Sequence, residues 1–153
     1  MTLNTKELFE WIGGAAIIVS LLLVAYEIRQ NTNAVSAQAF YDLNQHASTT
    51  MQLIATNEEF AMLFKKGDTN PDDLTELELF RYRSAVYADM NLYEAAYFYF
   101  EKGIIEQREY EAYLATYCDE MQLPGYKKTV EELGHVHLGA FFESANAHCA
   151  SLK

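Results

Sequence analysis

Trp11 to Tyr26 reads WIGGAAIIVSLLLVAY, sixteen residues without a charge, and Leu8, Phe9 and Ile28 extend its apolar character at both ends. At 1.5 Å per residue the sixteen make about 24 Å of helix, and the stretch from Leu8 to Ile28 about 31 Å, against a hydrocarbon core of about 30 Å. The segment therefore has the length of one transmembrane helix. Glu10 and Glu27 fall at the two interfaces, where Trp11 and Tyr26 supply rings that settle at headgroup depth and Arg29 supplies a cationic flank.

Three other readings compete for this segment. A cleaved signal peptide needs a basic leader and a small-residue cleavage site directly after the apolar run. Here the leader is Met-Thr-Leu-Asn-Thr-Lys-Glu, the run ends in Tyr26-Glu27-Ile28-Arg29, and the tripeptide Ala37-Gln38-Ala39 lies too far downstream. An interfacial amphipathic helix needs a polar face, yet positions 17 to 19 and 21 to 24 are Ile, Val and Leu all the way round. The core helix of a soluble protein is the serious alternative, because the charge-free run is short of the usual length of about 20 residues.

Within the span, Gly13, Ala16 and Ser20 recur at spacings of three and four, which places small side chains on one stripe where a second transmembrane helix can approach closely. Orientation is poorly specified, since Lys6 on one side faces Arg29 on the other. The C-terminal part is expected in the cytoplasm. Reduced cysteines fit that side, although two residues 31 apart can pair on either.

Outside this segment the chain is that of one ordinary domain. It has 153 residues, 50% hydrophobic, with 11 Lys and Arg against 22 Asp and Glu, for a net charge of −11. A chain of this length buries roughly two thirds of its unfolded surface and needs no disulfide framework or structural metal to fold. Two cysteines supply no such framework, and both are read as small buried apolar residues. The excess of negative charge argues against a nucleic-acid partner.

No strand pattern competes anywhere, and the expected fold is all-α: a single transmembrane helix over 8–28, preceded by a tail over 1–7, continuing as a helical stalk over 29–57 into a bundle of four or five helices over 58–153. From Gln30 to Asn57 Asp42 is the sole charged residue, and Ala37, Phe40, Leu43, Ala47, Met51 and Ile54 form a helical stripe that following helices or a partner must cover. Asn57 starts a short helix that Lys65, Lys66 and Gly67 close. The connector from Asp68 to Asp73 looks like a calcium loop but has Asp73 where glycine is needed and Leu79 where a bidentate carboxylate is needed. It is better read as a turn leading to a helix N-terminus at Thr75.

The helix from about Glu76 to Lys102 is unusually aromatic: Phe80, Tyr82, Tyr87, Tyr93 and the run Tyr97 to Phe100. Four consecutive aromatics sweep about 300° around the axis and cannot all face one core. Tyr87, Tyr93, Tyr97 and Phe98 are accordingly candidates for a contact or ligand surface, set against the plainer possibility that neighbours pack on two sides of the helix. Further helices are expected from about Glu106 to Gln122 and, after Pro124-Gly125, on either side of Gly134.

The stretch Glu27-Ile28-Arg29-Gln30-Asn31-Thr32, with Ala34 and Gln38 after it, resembles the E-I/L-R-Q-N-T motif of a widespread group of small bacterial membrane-anchored helical proteins of unknown function. Asn91 to Ile105 and the turn Pro124-Gly125-Tyr126 are similar to that group's second half. The chain departs from it at Asn33, where a basic residue is common, and over 126–130, where tryptophans are. The resemblance implies a bacterial inner-membrane location and carries no activity or catalytic residue with it.

An enzyme finds little support. Glu132 and His135 offer one Glu-x-x-His spacing where a di-iron bundle needs two, His135 and His137 point about 200° apart on a helix, and His46 and His148 are isolated. Cys118 is followed by Asp119, which would raise rather than lower a thiol pKa. No catalytic residue, metal ligand or cofactor is assigned. The expected function is a non-catalytic, single-span accessory or scaffold subunit whose partners are membrane lipids and another membrane protein or a second copy. The alternative is a membrane-anchored small-molecule or lipid sensor with an aromatic-lined site.

Overall fold

The computed structural model describes residues 5–134 and 139–152, with side chains from Phe9 onward. Among the described residues there are six α-helices and no strand: α1 (Thr5–Thr56), α2 (Glu58–Thr69), α3 (Glu76–Glu101), α4 (Gln107–Glu120), α5 (Pro124–Leu133) and α6 (Gly139–Ser151), with a 3-10 turn at Pro71–Asp73 between α2 and α3. The chain divides into two compact units at Gln38 and Ala39.

In the first unit every residue from Phe9 to Val35 is exposed, among them Trp11 at 75% and Leu22 at 65%. One helix near the N-terminus is thus long and apolar enough to cross a membrane, and none of its apolar stretch is buried within the chain. The core-helix alternative requires the opposite, a rod covered by its own neighbours. Polar side chains here are satisfied locally: the Ser20 hydroxyl donates to the Ala16 carbonyl and the Thr32 hydroxyl to the Ile28 carbonyl, each at 2.9 Å. Back-bonding of this kind leaves no hydroxyl seeking a partner in an apolar medium.

The second unit begins within the stretch expected to be a helical stalk, and the following helices cover part of its stripe. Ala39 and Leu43 are buried, and Ala47 and Ile54 pack against the core. The last third of α1 is thus a bundle helix, whereas Phe40 and Met51 from the same expected stripe stay exposed.

The remaining boundaries follow from capping chemistry. Asn57 caps α2 by accepting from the Phe60 amide at 3.0 Å, and Glu58 and Glu59 occupy the positive first turn. Thr75 and Glu78 form a reciprocal capping box at the start of α3. Gly103, at φ +64°, turns the chain after α3 in a conformation that favours glycine. Gly67 does not end α2, which continues to Thr69. It lies inside the helix because α3 and α5 approach too closely there for a side chain. An added Cβ would collide with the Tyr82 ring, and one on Gly125 would collide with the Gly67 carbonyl oxygen.

Core residues come from every helix of this unit: Leu43 from α1, Leu63 and Phe64 from α2, Tyr82, Val86 and Met90 from α3, Tyr117 from α4, Tyr126 and Val130 from α5, and Phe141 and Ala145 from α6. The two cysteines are not free apolar thiols as expected from the sequence. Cys118 of α4 and Cys149 of α6 form a disulfide with Cα atoms 5.4 Å apart. A spacing of 31 residues does not reveal this; the packing of α4 against α6 does. His135 and His137 lie outside the described residues.

Candidate functional site

The aromatic residues of α3 disperse as their angular sweep requires. Tyr93 is buried, with its ring edge-on to Tyr117. Tyr97 is half-buried between Tyr110 and Phe141, with centroids 6.0 and 6.3 Å away. Phe98 is exposed beneath the Lys102 ammonium, 5.5 Å from its ring centre, and Tyr87 is exposed as well. The four residues therefore do not share a cavity. Trp11, Tyr26 and Arg29 are all exposed on α1, where the Tyr26 hydroxyl accepts from the Gln30 amide at 3.1 Å. Gly13, Ala16 and Ser20 are exposed too, and a Cβ on Gly13 would meet nothing within 4 Å.

Of the four aromatic candidates, Tyr93 lies at a cavity. This hollow of about 250 Å³ lies within the second unit and is walled by Thr50, Met51 and Ile54 of α1, Phe64 and Asp68 of α2, Asp89, Leu92 and Tyr93 of α3, Tyr113, Thr116 and Glu120 of α4, and Tyr126 of α5. A larger hollow of about 510 Å³, beside α5 and α6, is more open to solvent and carries no group of shielded charges.

Three carboxyls set the character of the smaller cavity. Asp68, in the last turn of α2, accepts from the Tyr82 hydroxyl at 2.7 Å, and burial raises its pKa. Glu120, at the end of α4, accepts from the Tyr93 hydroxyl at 2.7 Å and is likewise raised, first by burial and also by the Asp68 charge. Asp89 is 8% exposed. Burial, the charge of Glu120 and that of Asp68 push its carboxyl up to about 7, against a smaller opposing effect of its hydrogen bond with Thr50. Tyr82 and Tyr93 are raised as well, by burial and by these same acids, so they stay neutral donors.

No lysine, arginine or histidine stands among the described residues of the cavity wall. Several of the unit's cations are engaged at its surface instead: Lys66 with Glu78 at 2.9 Å, Arg81 with Glu59, Arg83 with Glu132, and Lys128 with Asp72 at 2.6 Å. Among the described residues no three His, Cys, Asp or Glu side chains converge closely enough to hold a metal ion. The hydroxyls of Tyr113 and Tyr126 are shut off from solvent and have no hydrogen-bond partner. Tyr126 lies near the Glu120 carboxylate, which raises its pKa further beyond the effect of burial, but the two do not meet the geometry of a good hydrogen bond.

Asp89 and Glu120 carry no motif, yet one sign of them is in the sequence. Tyr82, Val86, Asp89 and Tyr93 follow the three-and-four spacing of a single helix face, so Asp89 is an acid set into an apolar stripe. Asp68 stands in the stretch expected to be a turn but lies in the last turn of α2, where the approach of Tyr82 makes it part of the site. No family model, curated protein or solved structure matches this chain.

Proposed function

We propose that this protein is a single-span, membrane-anchored module without catalytic chemistry, whose helical bundle takes up a small molecule in the cavity between Asp89, Tyr93 and Glu120. The cavity is the observation that carries the reading. A spacer domain gains nothing from shielding three carboxyls around a hollow, because burying a charge costs free energy unless a partner offsets it. Residues 8–28 hold the module in a bacterial inner membrane. Native mass spectrometry of the full chain released from detergent tests the reading: a retained or added small molecule is expected on the folded chain, and persistent bare-chain mass across a broad ligand panel would count against it.

The bundle lies on the oxidising side of that membrane in this proposal, rather than in the cytoplasm as expected from the sequence. The Cys118–Cys149 bridge supports this, since reducing pools in the cytosol keep thiols open. Protease added to the outer face of intact spheroplasts is expected to digest the bundle; protection would return it to the cytoplasm.

A second reading, an accessory subunit of a larger membrane complex, draws on the surface of α1. Gly13, Ala16 and Ser20 are exposed, and none of the described residues uses the close approach that Gly13 permits. Its partner is another membrane protein or a second copy, and stoichiometric co-purification from native membranes is the expected result. A lone monomer in mild detergent would remove this reading.

A further inference from the structure

We infer that the cavity between Asp68, Asp89 and Glu120 is built for a small organic cation, an alkylammonium whose charged head sits among the carboxyls and whose apolar body lies against the tyrosine and aliphatic wall. The inference rests on the ligand-binding reading above and adds the chemical class of the ligand.

Charge provides the first argument. Three carboxyls from α2, α3 and α4 look onto one hollow, and no cationic side chain stands on its described wall. Glu120 and Asp68 both act on Asp89, and Asp68 acts on Glu120, so the negative charges reinforce one another across the hollow. Internal hydrogen bonds from Tyr82 and Tyr93 satisfy single oxygens of Asp68 and Glu120 but bring no positive charge. An arriving ammonium would supply it, and an anion would be repelled.

The wall provides the second. Tyr126 is 2% exposed, and its hydroxyl lies beside Glu120 without the alignment of a good hydrogen bond, which leaves it free to turn to a ligand. Tyr113 adds a second hydroxyl without a hydrogen-bond partner. With Phe64 and Tyr93 these rings supply faces that attract a cation, while Met51, Ile54 and Leu92 supply apolar surface. A metal ion does not fit, because the acids do not converge on one point. The volume, about 250 Å³, corresponds to about eight waters and suits a short amine.

The test uses the full chain in detergent and follows thermal unfolding against 1,4-diaminobutane, cyclohexylamine and their neutral alcohol counterparts. Saturable stabilisation by an amine and not by its alcohol is expected, with affinity reduced about tenfold or more in D89N and in E120Q while the helical circular dichroism is kept. Equal stabilisation by amine and alcohol would overturn the cation assignment and leave a ligand-binding cavity in place. An amine effect undiminished in both variants would put the cation elsewhere and overturn the assignment too. No shift with either class, together with bare-chain mass in native spectrometry, would remove the cavity's function altogether.

Discussion

Gly67 and Gly125 occupy the tightest crossing in the bundle. Alanine is ordinarily the better helix former by about 1 kcal/mol, so Gly67→Ala on an isolated helix would stabilise. Here the added methyl would strike the ring of Tyr82, which is fully buried and has nowhere to move. Gly125→Ala is more severe, because its obstacle is the Gly67 backbone carbonyl, with the Pro71 Cδ at 3.0 Å as well. A loss of about 3 kcal/mol is expected for Gly125→Ala, with a smaller loss for Gly67→Ala, read as midpoint shifts in denaturant unfolding. A neutral Gly125→Ala would mean that α2 and α5 do not meet as described.

Asp89 makes a prediction with a definite sign. Its carboxyl moves from 3.8 to about 7 on folding, so the folded chain holds a proton that the unfolded chain has lost across that window. The associated stability is complete below about pH 4 and is lost as pH rises through 7, up to about 4 kcal/mol at 1.36 kcal/mol per unit. Asp68 and Glu120 face the same cavity and are raised in the same direction. Asp89→Asn is therefore expected to flatten the fall in melting temperature between pH 4 and 7 relative to the unaltered chain. Parallel profiles would show that Asp89 is ionised or solvated in the fold.

At the scale of elements, α3 shows why an aromatic run does not by itself make a site. Each residue turns about 100°, so Tyr97 is directed to α4 and α6 while Phe98 reaches solvent. The disulfide acts between elements, joining α4 to α6 across a loop of 31 residues. Closing a loop of that length removes chain entropy from the unfolded state worth about 3–4 kcal/mol. Replacing both cysteines by alanine is expected to lower the melting temperature by about 10 °C, with little loss of helix by circular dichroism. An unchanged melting temperature, or two titratable thiols in the oxidised protein, would contradict the bridge.

For the whole molecule, the division at Gln38 separates a unit whose described residues form no core from one that has a core of its own. Residues 39–153 produced alone are expected to stay helical and dissolve without detergent, whereas the full chain is expected to resist alkaline extraction from membranes. Sedimentation after carbonate washing distinguishes the two. Release of the full chain by that washing would remove the anchor from the account.

The sequence alone determined the features that depend on near neighbours. An uncharged run of the right length marks the helix able to span a membrane, and Asn57, Thr75 with Glu78, and Gly103 mark helix ends, because capping and backbone conformation act within four residues. Tertiary structure alone decided the features that need distant residues to meet. These are the covering of Leu43, the use of Gly67 as a crossing point, the pairing of Cys118 with Cys149, and the gathering of Asp68, Asp89 and Glu120. Each acid belongs to a different helix, and helix packing, which no local spacing encodes, sets both the distance between them and the desolvation that gives them their chemistry.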